Sequence, residues 1–159
     1  MNVASWAGVM ASPYIGFYNA SKSALIGLSE SMFYDLGLLN IHTVLAIPGI
    51  TKTPLLAKTT EGGTASLATI PVDQRHRYQA LLDHYAGMSA SSEAMPMLAT
   101  PEKVARKLFR LVEKSKPRFR NNLSIDAMLV DKVMTRLPWK ARVAMNTRMY
   151  KLKLAQTPA

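Results

Sequence analysis

A change of period within the first fifty residues constrains this chain more than any other feature. Met1-Asn2-Val3-Ala4-Ser5 opens with strand character, and Trp6 to Phe17, interrupted by Gly8, Pro13 and Gly16, reads as a loop. From Tyr18 to Leu39 apolar residues recur at helical spacing, with Ala24, Leu25, Leu28, Met32 and Leu36 on one side, until Gly37 and Asn40 stop the pattern. Ile41 to Ile47 is then short, apolar and closed by Pro48-Gly49. A run of that kind is predicted to be a strand buried on both faces, and strand, helix, strand in this order gives a parallel α/β sheet.

Thr51 to Ala99 has a different texture, with Gly62, Gly63, Pro71 and Pro96 among many Ser, Thr and Met. It keeps its apolar residues, so it reads as a long excursion or lid, with a helical patch around Gln74 to Tyr85. Thr100-Pro101-Glu102-Lys103 is a helix start, with Thr as cap and Pro at the first position. That helix should run to about Ser115 and bury Val104, Leu108, Leu111 and Val112. Arg118 to Ile125 is predicted as a third strand, followed by two basic helices broken at Pro138.

The charge follows the same division. The 159 residues carry 20 Lys+Arg against 10 Asp+Glu, a net +10, yet residues 1–99 hold only five basic groups and six acidic ones. The excess therefore lies after Thr100, which points to a surface for anionic lipid, nucleic acid or an acidic partner. Among these, a solvated helix or a membrane-surface helix over Lys132 to Lys153 fits best, because Trp139, Val143, Met149 and Leu152 alternate with cations and no nucleic-acid motif accompanies them. Cysteine is absent and there are three His (His42, His76, His84), so no thiolate or His-rich metal site is expected. His42 reads as structural, and His76 and His84 as a solvated face of the lid. Met1 to Ser21 carries no formal charge, but it lacks a basic start and is broken by polar residues and glycines. It fits neither a signal peptide nor a spanning helix, and a cytoplasmic location is expected.

The residues with chemistry are Ser5, Tyr18 and Lys22. Tyr18 and Lys22 lie four apart in the predicted helix, on one face and one turn apart. An ammonium beside a phenol stabilises the phenolate and makes a general acid/base usable at neutral pH. Ser5, at the end of the first strand, offers a hydroxyl to the same substrate oxygen.

Asn2-Val3-Ala4-Ser5, Ala7-Gly8 and Tyr18-Asn19-Ala20-Ser21-Lys22 together resemble the active-site segment of the short-chain dehydrogenase/reductase family, whose helix usually opens Tyr-x-Ala-Ser-Lys. The likeness continues through Pro48-Gly49 to Thr53, a turn that in that family lies against the nicotinamide. The resemblance implies the C-terminal half of a doubly wound, Rossmann-like α/β domain over residues 1–125, with the lid at about 51–99 and a basic helical extension at 126–159. It implies Tyr18 as proton donor or acceptor, and Lys22 as the group that stabilises its ionised form and binds the nicotinamide ribose. Ser5 would orient the substrate oxygen. Pro48, Gly49, Ile50 and Thr53 would lie against the nicotinamide, with Thr53 and the backbone around Ile50 holding its carboxamide. The cofactor would be NAD or NADP and the substrate an alcohol or carbonyl compound, plausibly an apolar one, since Met88, Met95 and Met97 would suit an adaptable pocket. The resemblance also implies a homo-oligomer through the Tyr18 to Leu39 helix.

The chain departs from that family in containing no G-x-x-x-G-x-G turn to cradle a pyrophosphate. A fragment, or a truncated product, is the expectation. The competing reading is a non-catalytic remnant acting as a binding or membrane-surface module.

Overall fold

The computed structural model describes residues 1–55 and 98–150, and between them residues 58, 61, 62, 65, 68–76, 78, 79, 83 and 87. The chain divides into two compact units, Met1–Ile50 with Glu102–Ala159, and Thr51–Pro101. In the first unit, three parallel strands pair in the order β1 (Asn2–Val3), β2 (Leu45–Ile47), β3 (Arg120–Asn122). The helices are α1 (Gly16–Gly37), α2 (Pro101–Val112), α3 (Ile125–Lys132) and α4 (Trp139–Met149).

Helices cover both faces of the sheet because β2 is apolar in consecutive positions. Leu45 and Ile47, both fully buried, pack with Ala4 and Ala127 on one face, where Leu25 and Ile26 of α1 join them. Val44 and Ala46 point the other way and meet Leu111 and Leu123, with Val104 and Leu108 of α2 alongside. The chain therefore has the α/β fold with parallel strands that its pattern predicts, as a partial Rossmann-like arrangement. At about 25 cal/mol per Å² of apolar surface, this two-sided burial of β2 is the main stabilising contribution to the sheet.

The elements are shorter than the sequence pattern predicts, and the register explains why. β2 begins at Leu45 rather than Ile41 because β1 supplies only two pairing residues and β3 three. Ile41 and His42 stay exposed, outside the strand. Leu123 is buried, but Ser124 accepts from the Ala127 N–H and starts α3, so the third strand ends before Ile125. On α1 the sheet-facing side is Leu25, Ser29, Met32 and Leu36, whereas Ala24 and Leu28 are exposed. Val112, predicted to be buried, is 66% exposed because α2 ends there. The helix after β3 is not basic either: α3 carries two Asp and one Lys. Of the two helices after β3, α4 is the cationic one, with Arg142 over the exposed Trp139 ring at 5.7 Å.

In the unit Thr51–Pro101, Thr51 bridges Ala99 in parallel, and the Lys52 N–H donates to the Ala99 carbonyl at 3.0 Å. Val72–Gln74 form a 3-10 turn, braced by Arg75, whose Nε donates to Ile70 O at 2.9 Å. His76 is exposed, while His84, Met88, Met95 and Met97 lie outside the described residues, as do Lys151 to Lys153.

Candidate active site

Parallel strands deliver their carboxyl ends to one side of the sheet, which is where α/β folds place ligands. Ser5 follows β1 there and Pro48-Gly49-Ile50 follow β2. A hydrogen bond from Trp6 N–H to the Pro48 carbonyl, 3.1 Å long, ties the two strand ends together.

Ser5, 8% exposed, is in extended backbone and caps the 3-10 turn Trp6–Gly8, with its Oγ accepting from the Ala7 N–H at 3.2 Å. A hydroxyl that accepts in this way still has its own proton to donate. The turn then packs directly on α1. A Cβ built on Gly8 would lie 2.5 Å from the Lys22 carbonyl carbon and 2.6 Å from its oxygen, so only glycine allows the approach. Ser23 Oγ donates to the Gly8 carbonyl at 2.8 Å and holds the contact.

Tyr18 and Lys22 stand on the sheet side of the first turns of α1. The Lys22 ammonium is 5.7 Å from the centroid of the Tyr18 ring and donates to the Val3 carbonyl at 3.3 Å. Tyr18 is 41% exposed, so its phenol is open to a ligand. Just before the helix, Tyr14 adopts φ 70°, a left-handed conformation, and its ring meets Tyr150 edge-on at 6.5 Å. Asn19 is buried and fixes that loop through Nδ2 to the Ser12 carbonyl at 2.8 Å.

The Pro48-Gly49-Ile50 turn is held by a residue that the sequence pattern does not single out. Asp126, in the first turn of α3, accepts the Ile50 N–H at 2.7 Å across a separation of 76 residues. Its carboxylate sits where a side chain on Gly49 would be, so that glycine is required by space. The Ile50 donor is therefore engaged. Thr53 is exposed and belongs to the other unit. Ser5, Tyr18, Lys22, Pro48, Gly49 and Ile50 all lie in the first unit. No local signal marks Asp126. The Gly8 contact is foreshadowed only by glycine following the strand end.

Among the described residues no helix is long and apolar enough to cross a membrane, and no group of three or more His, Cys, Asp or Glu could hold a metal ion. Residues 1–63 match the family model described as short chain dehydrogenase. Among curated proteins, the 3-ketodihydrosphingosine reductase of Bacteroides thetaiotaomicron is 43% identical over 49 residues, which is 31% of this chain and 18% of that protein. The chain thus spans a small part of the relative it matches.

Proposed function

Through residues 1–63 this chain belongs to the short-chain dehydrogenase/reductase family, and on that premise we propose that it serves NAD(P)-linked interconversion of a ketone and an alcohol on an apolar substrate. The observation that supports this reading is the packing of the turn that Ser5 caps on α1 at Lys22, whose ammonium lies 5.7 Å from the centroid of the Tyr18 ring. The relative is named a reductase, which favours the carbonyl-reducing direction.

The donor set fits the nicotinamide end of such a cofactor. When bound, the nicotinamide supplies the hydride to the carbonyl carbon. The Ser5 proton, left over from its bond with Ala7, is donated to the carbonyl oxygen and orients it. The Tyr18 phenol transfers its proton to that same oxygen as negative charge develops there. Lys22 stabilises the phenolate that remains and turns from the Val3 carbonyl to the ribose hydroxyls. With the Ile50 N–H held by Asp126, the Ile50 carbonyl would be the backbone group left for the carboxamide amine, with Pro48 and Gly49 beside it. The reading includes a cytoplasmic location and a second copy of the chain packed on α1, where Leu28, Phe33 and Tyr34 face outward.

The test is a titration of the full chain with NADH and NADPH, read by nucleotide fluorescence, beside an assay of ketone reduction. Saturable binding lost in Lys22→Met, with turnover reduced about 10²- to 10⁴-fold in Tyr18→Phe, is the expected result. A folded chain that binds neither nucleotide sinks the reading and favours a binding module.

A further inference from the structure

β3 is an edge strand, and its outer side is built differently from an ordinary solvent-facing edge. Leu45 N–H donates to Phe119 O and Leu123 N–H to Ile47 O, so alternate residues of β3 turn their backbone toward β2. The backbone groups of Arg120 and Asn122 consequently turn outward, with no strand beside them among the described residues. That edge is the floor of a groove of about 400 Å³. Lys107, Arg110 and Lys114, from α2 and the residues after it, form one wall; Lys132 of α3 stands on the other, and Arg118 and Arg120 belong to the edge segment itself.

Two of these six cations are already engaged. Lys107 Nζ donates to the Leu123 carbonyl at 2.6 Å, and Arg120 makes a forked ion pair with Asp131. Burial pushes the Asp131 carboxyl up, but the hydrogen bonds from Arg120 and Asn122, and the charges of Arg120 and Lys132, outweigh it and hold the group below its ordinary value. Arg110, Lys114 and Arg118 have no ion-pair partner among the described residues. The groove therefore keeps a concentrated, uncompensated positive charge.

We propose that this groove binds an extended acidic peptide segment of a partner protein, which adds as a strand to the outer edge of β3. Charge complementarity requires an anion, and the floor decides which kind. The outward N–H and C=O groups of Arg120 and Asn122 match a peptide backbone, which supplies both donors and acceptors, whereas a phosphate backbone supplies no donor. Alternate residues of an added strand would share one face, and acidic ones on the α2 side would meet Arg110 and Lys114. Carboxylates on the opposite face of the same strand meet Lys132. Cations along a short edge also repel basic strands, and a neutral strand would desolvate them without compensation, so the groove selects for acid. This site is distinct from the residues around Tyr18 and stands whether or not the chain turns over a substrate.

The experiment uses the full chain and a fluorescein-labelled peptide with Glu at alternate positions, followed by anisotropy. A second peptide of equal charge carries proline at its centre, which removes a backbone donor. Saturable binding of the first peptide, weakened about tenfold by proline and about tenfold by Arg110→Glu with Lys114→Glu, is expected, with Lys140→Glu and Arg148→Glu on α4 within about twofold of wild type. Amide hydrogen exchange at Arg120 and Asn122 should slow when the peptide binds, a readout independent of any variant. Equal binding of the proline peptide, or unchanged exchange at those two amides, overturns strand addition. So does tighter binding of single-stranded DNA or phosphatidylserine vesicles that is lost in the Arg110 and Lys114 variant, since the groove would then be a phosphate site.

Discussion

Helices α1 and α2 pack on opposite faces of one sheet and are attached by different chemistry. α2 is sharply two-sided: Val104, Leu108 and Leu111 enter the core with Val44, Ala46 and Leu123, while Lys107 and Arg110 face the groove. α1 is nearly twice as long, yet its fully buried residues are Asn19 and Ser29. Leu25 and Ile26 reach the core from its inner side, and its other anchors are short and polar. Ser29 Oγ donates to Leu25 O at 2.6 Å and accepts from Asn2 Nδ2 at 2.9 Å, Thr43 Oγ1 donates to Met32 O at 3.2 Å, and Gly8 touches the backbone at Lys22. Much of its apolar surface faces outward, Leu28 at 57% and Tyr34 at 63% exposure. Apolar burial tolerates small shifts, whereas hydrogen bonds and a glycine contact fix distance and rotation. The helix that carries Tyr18 and Lys22 is thus the one held in register by directional contacts.

Substitutions on the two helices should separate these modes. Leu111→Ala is expected to cost the most, about 3 kcal/mol in urea unfolding, by leaving a cavity under α2. Gly8→Ala comes next at about 2 kcal/mol, because the clash is with backbone that has nowhere to move; nucleotide binding should fall with it. A Gly8→Ala protein of wild-type stability would show that α1 is not held at Lys22. Ser29→Ala should cost about 1 kcal/mol, since it strips Asn2 Nδ2 of its oxygen acceptor. Leu28→Glu should change monomer stability by no more than about 0.5 kcal/mol. If a second copy covers α1, the same change dissociates it, which sedimentation velocity reads directly.

The corner between β3 and α3, on the face of the sheet that α1 also covers, adds a pH signature of its own. Asp131 titrates lower in the folded chain than in the unfolded one, so its stabilisation is complete above the ordinary carboxylate range. It is lost as pH falls through the lowered folded value. Urea midpoints of wild type and Asp131→Asn should therefore differ at neutral pH and converge in acid, and a constant gap across the titration would refute the linkage.

The sequence made α2 legible because its period and its packing agree. The span of α1 is legible too, within two residues at either end, but its inner face is not, since apolar residues lie all round it and Ala24 and Leu28 face solvent. β2 is shorter than its apolar run, since composition cannot reveal how few partners a strand has. Asp126 was invisible: its role depends on a turn 76 residues away, and neither end carries a local signature. Ser5, Tyr18 and Lys22 stood out because their chemistry sits at fixed short spacings.

The Asp126 bond has a consequence for the order in which the chain matures. Ser5, Tyr18, Lys22 and Ile50 leave the ribosome before the carboxylate that fixes the Ile50 turn, which emerges 76 residues after Ile50 and after the partner strand for β2. Closing so long a loop is slow compared with forming α1. A nascent chain therefore displays Ser5, Tyr18 and Lys22 before the Pro48-Gly49-Ile50 turn has its final shape, and the candidate site is completed only when α3 docks.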